Sequence, residues 1–317
     1  MELGKNVGTM AKAQVRHQTI VKRLLHSWQL YVLIAPATIY FAVCHYWPIY
    51  GLQIAFRDYK AKMGILGSPW VGLAHFERFL SGPNFETLLA NTLRISVSQL
   101  LLGFPIPIIL ALVINELKNQ RYKKFVQTVS YAPHFISVVV MVSMLNIFLN
   151  TGNGVINRLL ALIGAGPYDF LGTGEYFTSI YVISGIWQGM GWDSIIFLAA
   201  LSGIDASQTE AAMVDGASRL QRIWHINLPA ILPTIVIMFI LNSGKIMGVG
   251  YEKAYLMQNA LNLSHSEIIS TYVYKVGLIN TQYSFSAAVG LFNSVCNVIL
   301  MLIVNFISRK VSDVGLL

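Results

Sequence analysis

A short polar stretch between two long apolar runs carries residue types suited to contacting another protein. Glu210 is followed by two alanines and, six residues on, by Gly216. Ser207 lies three residues before Glu210, a spacing that predicts a capping box at the start of a short helix. Gly216 predicts the end of that helix, because glycine takes a left-handed conformation without steric strain. The Glu210 carboxylate would then stand on a short helix, where it could pair with a basic group.

The segment after Gly216 predicts a second helix. Apolar and amide side chains recur there at helical spacing until Pro229. They are Leu220, Ile223, Trp224 and Asn227. The two helices and the glycine turn form a helix–turn–helix unit, which we place beside a membrane.

The sequence shows no constellation for catalysis, phosphate binding or metal binding. Gly244 and Lys245 suggest a phosphate loop, but that motif requires a glycine where Phe239 stands and Ser or Thr where Ile246 stands. The histidines are scattered, without the His-Glu-x-x-His spacing of a zinc site. Both cysteines fall within apolar runs, which favours neither a disulfide framework nor a metal site. We therefore expect a protein that is not an enzyme and that binds no cofactor itself.

The composition predicts a membrane protein. Of the 317 residues, 55% are hydrophobic and 11% are charged, whereas an ordinary soluble domain has roughly 25% charged residues. The net charge of +8 could suggest a nucleic-acid partner. However, the basic residues are spread through short segments between apolar runs, which favours the positive-inside pattern of membrane proteins. We expect no nucleic-acid partner.

Six apolar runs are long enough to cross a hydrocarbon core about 30 Å thick. The predicted spans are 28–50, 89–114, 126–149, 176–201, 229–250 and 285–307. Residues 1–27 form a basic tail, residues 28–309 the membrane domain, and residues 310–317 a C-terminal tail. If both termini are cytoplasmic, the cytoplasmic segments hold 13 Lys and Arg and the outer segments hold 7. The positive-inside rule therefore places residues 202–228, which contain the polar stretch around Glu210, in the cytoplasm.

The polar stretch resembles the EAA loop of bacterial ABC importer permeases. Its pattern is Glu-Ala-Ala, three residues, Gly, nine residues, and Ile-x-Leu-Pro, matched without gaps from Glu210 to Pro229. The resemblance implies an all-α, type I ABC importer permease whose short helix docks into a cleft of a cytoplasmic ATPase. The residues that it assigns to ATPase coupling are Glu210, Ala211, Ala212, Asp215, Gly216, Ile226, Leu228 and Pro229.

The same resemblance implies a set of partners in the bacterial inner membrane. They are a second, related but distinct permease chain, two ATPase subunits that bind ATP and Mg²⁺, and an extracytoplasmic solute-binding protein. An ordinary amphipathic hairpin between two membrane helices is the alternative interpretation of residues 202–228, the predicted coupling loop.

Two further segments resemble one subgroup of these sugar importers, which serves oligosaccharides from polysaccharide breakdown. They are residues 250–256 and 270–278. The overall likeness favours the permease of an alginate oligosaccharide importer. A neutral oligosaccharide is the alternative substrate.

Asp193 and Lys245 are charges within the fourth and fifth predicted spans. Placing such a charge near the centre of a membrane costs about 2.5–3.5 kcal/mol, so each should face a wet cavity or a partner. They could form a mutual ion pair, or lie near an interface and extend their charges to water. Alternatively, Lys245 faces the transport path of the sugar and attracts the carboxylates of an acidic sugar chain.

The outer segment 251–284 predicts a short amphipathic helix. Ser264 and Glu267 have the spacing of a capping box, and apolar side chains follow at helical spacing. They are Ile268, Ile269, Tyr272, Val273 and Val276. We expect this helix, with Glu267 and Lys275, to contact the binding protein or the mouth of the path. Packing against its own spans is the alternative.

Two other classes of function were weighed. A self-sufficient secondary transporter or channel would be expected to show inverted repeats and broken helices in matching positions. No such symmetry is evident in the sequence. An intramembrane enzyme would need a nucleophile, base or metal constellation in the spans, and none is recognised.

Overall fold

The computed structural model describes residues 27–312, and helices account for almost all of them. Two isolated bridges, Arg57 with Trp70 and Lys60 with Gly64, are the sheet-like pairings in this range. Backbone N–H and C=O groups find no water inside a bilayer, so long apolar segments satisfy them by forming helices. The predicted all-α fold is confirmed.

The principal helices follow the apolar runs of the sequence. They are α1 (Trp28–Phe56), α2 (Phe85–Asn115), α3 (Gln120–Phe135), α4 (Val138–Phe148), α5 (Phe177–Ser202), α6 (Ala206–Val214), α7 (Arg219–Ser243), α8 (Tyr251–Met257), α9 (Ile269–Tyr274) and α10 (Tyr283–Ser312). Shorter helices lie at Gly64–Gly67, Ala74–Leu80, Val155–Leu162 and Leu263–Ser266.

Four of the described helices, α1, α2, α7 and α10, are long and apolar enough to cross a membrane. Helices α3 and α4 together would make a fifth span. Helix α5 is 26 residues long but is less apolar, since it carries glycines, serines, Gln188 and Asp193. It packs against α2, α3 and α7 and buries residues such as Phe177 and Phe197, while Ile183 and Trp192 stay exposed. The count of six spans and the cytoplasmic termini remain predictions.

The third predicted span, 126–149, is not one straight helix. Helices α3 and α4 meet at an angle of 97°. Pro133, in the last turn of α3, has no backbone N–H for a continuous helix. The Ser137 side chain then caps α4 by accepting the Val140 N–H, at 3.3 Å. Gln188 on α5 donates to the Ile136 carbonyl at 2.7 Å, which satisfies one of the groups exposed by the break.

The fifth predicted span, 229–250, is shifted toward the N-terminus. Helix α7 begins at Arg219 and ends at Ser243, so Lys245 lies in the irregular segment that follows and not within a helix. Irregular backbone at membrane depth is tolerated where it lines a cavity. Residues 1–26 of the predicted basic tail and residues 313–317 lie outside the described residues. Helix α10 extends into the predicted tail 310–317, as far as Ser312.

Three clusters of buried apolar side chains hold the helices together. One joins α2, α9 and α10, and another joins α2, α4, α5 and α8. The third lies nearest the predicted coupling loop and joins α2, α5 and α7. Its buried members are Ile108, Ala111, Leu112, Phe197, Leu201 and Ile231. The loop is thus attached to a packed core on its membrane side.

Candidate coupling loop and transport cavity

The first helix of the predicted coupling loop, α6, begins at Ala206, and the residue that caps it differs from the prediction. The Asp205 carboxylate accepts the Ser207 N–H at 3.0 Å, so the predicted Ser207–Glu210 capping box is wrong. Aspartate is among the strongest capping residues, and it stands one residue before the helix. The same hydrogen bond lowers the pKa of Asp205 below its ordinary value.

Gly216 ends α6 in the predicted manner. Its φ of +78° lies in the left-handed region. The Ala217 N–H donates to the Ala212 carbonyl at 2.8 Å, and the Gly216 N–H donates to the Met213 carbonyl at 3.2 Å. This pair of bonds is the Schellman arrangement, which requires a left-handed residue after the helix. Glycine is needed here for its backbone conformation, since a Cβ would meet no atom within 4 Å.

The second helix of the loop is the start of α7. Ser218 and Gln221 form a capping box, with the Ser218 N–H donating to Gln221 Oε1 at 2.7 Å. The spacing Ser-x-x-Gln was a usable signal for it. A π-helical turn, Ile223–Asn227, follows and leads into the membrane portion of the helix.

The predicted coupling residues divide into an exposed set and a packed set. Glu210, Ala211, Asp215 and Gly216 are exposed on α6 and its turn. Ala212, Ile226 and Leu228 are half-buried, and Leu228 packs against the core of α2, α5 and α7. Pro229 is exposed. Apolar side chains on the same surface are also exposed, with Val214 at 88% and Leu220 at 69%. The arrangement offers an apolar, partly charged surface to another protein.

A buried ion pair joins the loop to the end of α2. Arg222 Nη2 lies 2.6 Å from Glu116 Oε2, and both side chains are largely buried. Asn227 Nδ2 donates to the other carboxylate oxygen, Glu116 Oε1, at 3.2 Å. Arg222 Nη1 donates to the Ala217 carbonyl at 3.0 Å. Glu116 could not be recognised from the sequence, because its partners Arg222 and Asn227 are more than a hundred residues away along the chain.

A cavity of about 490 Å³ lies among α2, α5, α7 and α8. Its volume falls within the roughly 300–1,000 Å³ of ligand sites. The polar residues that line it are Ser96, Gln99, Tyr181, Gln188, Asp193, Asn242, Lys245 and Lys253. A π-helical turn in α2, Gln99–Gly103, forms part of the wall. Such turns are frequent at functional sites.

The cavity brings Asp193 and Lys245 to the same space. Both side chains are exposed to it in this chain. The ion pairs of the described residues are Lys60–Asp58, Arg222–Glu116 and Lys275–Glu267, so the mutual pair does not form. Each of these charges was expected to face a wet cavity or a partner, and both Asp193 and Lys245 line this cavity.

Lys253 is a third charge on the cavity wall, and the sequence analysis did not select it. It lies on α8 and is 8% exposed. Its Nζ donates to the Tyr181 carbonyl at 2.6 Å and lies 4.4 Å from the centre of the Tyr181 ring. Burial lowers the pKa of Lys253 to about 7. The carbonyl and the ring face act in the opposite direction, because both favour the ammonium form.

The outer segment contains the predicted helix but not its predicted cap. Ser264 lies inside a short helix that ends before Glu267, so the Ser264–Glu267 capping box is wrong. Helix α9 begins later, and Thr271 Oγ1 accepts the Ile268 N–H at 3.1 Å. Glu267 Oε1 and Lys275 Nζ form an ion pair at 2.9 Å. The two charges chosen for contact with a binding protein therefore contact each other.

The apolar face of α9 is covered by the chain itself. Ile268 and Ile269 are fully buried, and Val276 is 8% exposed. This packing is the alternative that the sequence left open. A contact with a binding protein would have to use the rest of the segment.

Residues 103–313 match the family described as the binding-protein-dependent transport system inner membrane component. The chain belongs to this family. It is thus a membrane permease of an ABC importer and not an enzyme, and ATP hydrolysis belongs to partner ATPases. The interpretation as a self-sufficient transporter or channel is excluded.

Relatives of this permease include two proteins of Bacillus subtilis (strain 168). The polygalacturonan/rhamnogalacturonan transport system permease protein YteP is 43% identical over 305 residues, which cover 96% of this chain and 95% of YteP. Protein LplB is 43% identical over 287 residues, which cover 90% of each chain. The permease is therefore a subunit of a sugar importer.

Two solved structures share the fold. One is a bacterial ABC transporter involved in the import of the acidic polysaccharide alginate, with a TM-score of 0.85 and 38% identity over 92% of this chain and 99% of that chain. The other is a bacterial alginate ABC transporter in complex with an alginate pentasaccharide-bound periplasmic protein, with the same TM-score and identity. The predicted type I importer architecture is confirmed.

Proposed function

We propose that this permease lines the path of an acidic, alginate-type oligosaccharide. The observation that carries the proposal is the charge of the cavity. Lys245 and Lys253 outnumber Asp193, and neither lysine belongs to an ion pair of the described residues. A sugar chain with carboxylates would supply negative charge to Lys245 and to the ammonium form of Lys253, while a neutral chain would leave Asp193 as the single acidic side chain among the lining residues.

The names of the similar proteins support this substrate class. Alginate is described as an acidic polysaccharide, and polygalacturonan is a polymer of a sugar acid. Both are chains of uronate units. The cavity also offers amide groups, at Gln99, Gln188 and Asn242, which suit sugar hydroxyls because an amide can both donate and accept.

Import requires partners that this chain does not supply. The permease pairs with a second, related permease chain, because six spans are few for enclosing a path as wide as a sugar. No residue is buried in the most apolar stretch of α1. The surface of this helix is therefore available for lipid or for that second chain. An extracytoplasmic binding protein delivers the oligosaccharide from the outer side.

ATP-driven movement enters through residues 202–228. The exposed side chains of α6, with Glu210 among them, dock into a cleft of an ATPase subunit. Two such subunits bind ATP and Mg²⁺. With both termini in the cytoplasm and six spans in the bacterial inner membrane, the loop faces these ATPases.

Reconstitution of the complete complex tests the substrate class. Proteoliposomes that contain both permeases and both ATPases receive the binding protein outside and ATP inside. Uptake is compared for alginate, polygalacturonate and neutral arabinan oligosaccharides of equal length. We expect ATP-dependent uptake of the two uronate chains. Equal or faster uptake of the neutral chain would contradict the proposal.

A further inference from the structure

The Glu116 cluster, which consists of Glu116, Arg222 and Asn227, lies where three moving parts of an importer would meet. Glu116 directly follows α2, while Arg222 and Asn227 belong to the first turns of α7. Both carboxylate oxygens of Glu116 are used, one by Arg222 and one by Asn227. A single side chain thus fastens the end of α2 to the start of α7 at two points.

Arg222 extends the connection to the glycine turn. Its Nη1 donates to the Ala217 carbonyl, one residue after Gly216. Its Nη2 donates to Glu116 Oε2. The two donors have a fixed relative position, because the guanidinium is planar and rigid. A shift of the turn at Ala217 therefore pulls on Arg222 and, through it, on Glu116.

Both helices that meet at the cluster also line the cavity, α2 with its middle part and α7 with its C-terminal end. On α2 the cavity is lined by Phe104 and Pro107, about 14–18 Å from Glu116 along a helix that rises 1.5 Å per residue. On α7 it is lined by Met238 and Asn242. The rings of Phe104 and Phe239 also touch, with centroids 5.3 Å apart. The two helices are thus joined at the cluster and again at the cavity wall.

We propose that Glu116 is a positioning residue for transport, which makes the coupling loop, α2 and α7 move as one body. When the ATPase docks at α6 or releases it, the resulting movement is then transmitted to the cavity wall through two helices, α2 and α7, instead of one. This inference rests on the proposed coupling role of residues 202–228. Burial strengthens the connection, because a partner removed from a buried pair leaves a charge that no water can satisfy.

Three substitutions separate the contacts of the cluster. Glu116→Gln keeps the shape of the side chain and loses the charge, and Arg222→Met removes both contacts of the guanidinium. Arg222→Lys keeps a positive charge for Glu116 but loses the second bond to Ala217. The matched control is Asp58→Asn, which breaks the Lys60–Asp58 pair, whose side chains are both 54% exposed.

The readout is sugar transported per ATP hydrolysed, measured in the same proteoliposomes. The probe is whichever oligosaccharide of the uronate and neutral panel the wild-type complex carries fastest. We expect Glu116→Gln and Arg222→Met to lower this ratio by at least about fivefold, the lower end of common coupling factors, with ATP hydrolysis retained. Arg222→Lys should give an intermediate ratio, and Asp58→Asn the wild-type ratio.

Two results would overturn the inference. One is that assembled Glu116→Gln and Arg222→Met complexes transport as much sugar per ATP hydrolysed as the wild-type complex does. The other is failure of all three cluster variants to assemble, which would assign the cluster to folding alone. Gly216→Val, measured in parallel, identifies which proposal fails. If it leaves the ratio unchanged, the coupling role of the loop is wrong; if it lowers the ratio while the cluster variants do not, only the role of Glu116 is wrong.

Discussion

Asp193 and Lys245 line one cavity, and no ion pair joins them in the part of the chain that the structure describes. Lys245 therefore remains available for a substrate carboxylate. Asp193 acts against such a substrate, because like charges repel across a cavity. The charge of the cavity lining is thus set by three separate side chains, with Lys253 as the third.

Asp193→Asn should strengthen the binding of acidic substrates. Removal of the repulsion is expected to lower the KM for a uronate oligosaccharide by about two- to fivefold, with no change for a neutral one. Transport kinetics in proteoliposomes check this. If the two charges instead neutralise each other, Asp193→Asn should destabilise the complex and should partly rescue Lys245→Met.

Gly216→Val should uncouple ATP hydrolysis from the binding protein. The left-handed conformation costs a residue with a Cβ about 1–2 kcal/mol, and a β-branched side chain makes it worse. The complex should reach the membrane, while stimulation of ATP hydrolysis by the sugar-loaded binding protein falls. Gly203→Ala is the matched control, because Gly203 ends α5 in a right-handed conformation. Unchanged stimulation in Gly216→Val would refute the coupling role.

The cap of α6 depends on an acceptor at position 205. Asp205→Ala removes it and should speed amide hydrogen exchange over Ala206–Val214, whereas Asp205→Asn keeps an acceptor and should leave exchange nearly unchanged. The pKa of the carboxyl is lowered on folding, so its contribution is complete above its ordinary value of 3.8 and is lost as the pH falls through the lower folded value. The wild-type helix should therefore lose this protection only in acid. Equal exchange in both variants would show that another group caps the helix.

The Glu267–Lys275 pair distinguishes a docking surface from an internal contact. If the outer segment binds the solute-binding protein, exchanging the two charges should weaken docking and alter its salt dependence, although the internal pair is restored. Binding of the solute-binding protein to the complex in nanodiscs measures this. If the variant with exchanged charges binds the solute-binding protein as tightly as the wild type does, the Glu267–Lys275 pair serves only as an internal contact.

The parts of the molecule that short-range chemistry determines could be predicted from the sequence. The apolar runs predicted helices, and Gly216 predicted the left-handed end of α6, because each depends on residues close along the chain. The caps were predicted less well. Asp205 and Ser207 are both good capping residues two positions apart; the spacing to Glu210 favoured Ser207, whereas Asp205 is the cap.

The missed features depend on contacts between distant segments. Lys253 was not selected from the sequence, and folding buries it beside Tyr181. Glu116 was not selected either, and folding brings it to Arg222. The third span was predicted as one segment, 126–149, and its bend beside Pro133 is stabilised by Gln188 from another helix. Spacing along one segment carries no information on such partners.

If the positively charged cavity carries an acidic oligosaccharide, uptake must be selective for the charge of the sugar chain. The measurement is the uptake ratio of a uronate to a neutral oligosaccharide of equal length, at pH 6, where the ammonium form of Lys253 is favoured. The variants are Lys245→Met and Lys245→Met with Lys253→Met, and Lys60→Met is the exposed control.

We expect the ratio to fall by about tenfold or more in Lys245→Met, since a charged hydrogen bond contributes about 1.5–3 kcal/mol. It should fall further in the double variant and stay unchanged in the control, with assembly intact throughout. Full uptake of the uronate chain by a well-assembled Lys245→Met complex would contradict the account.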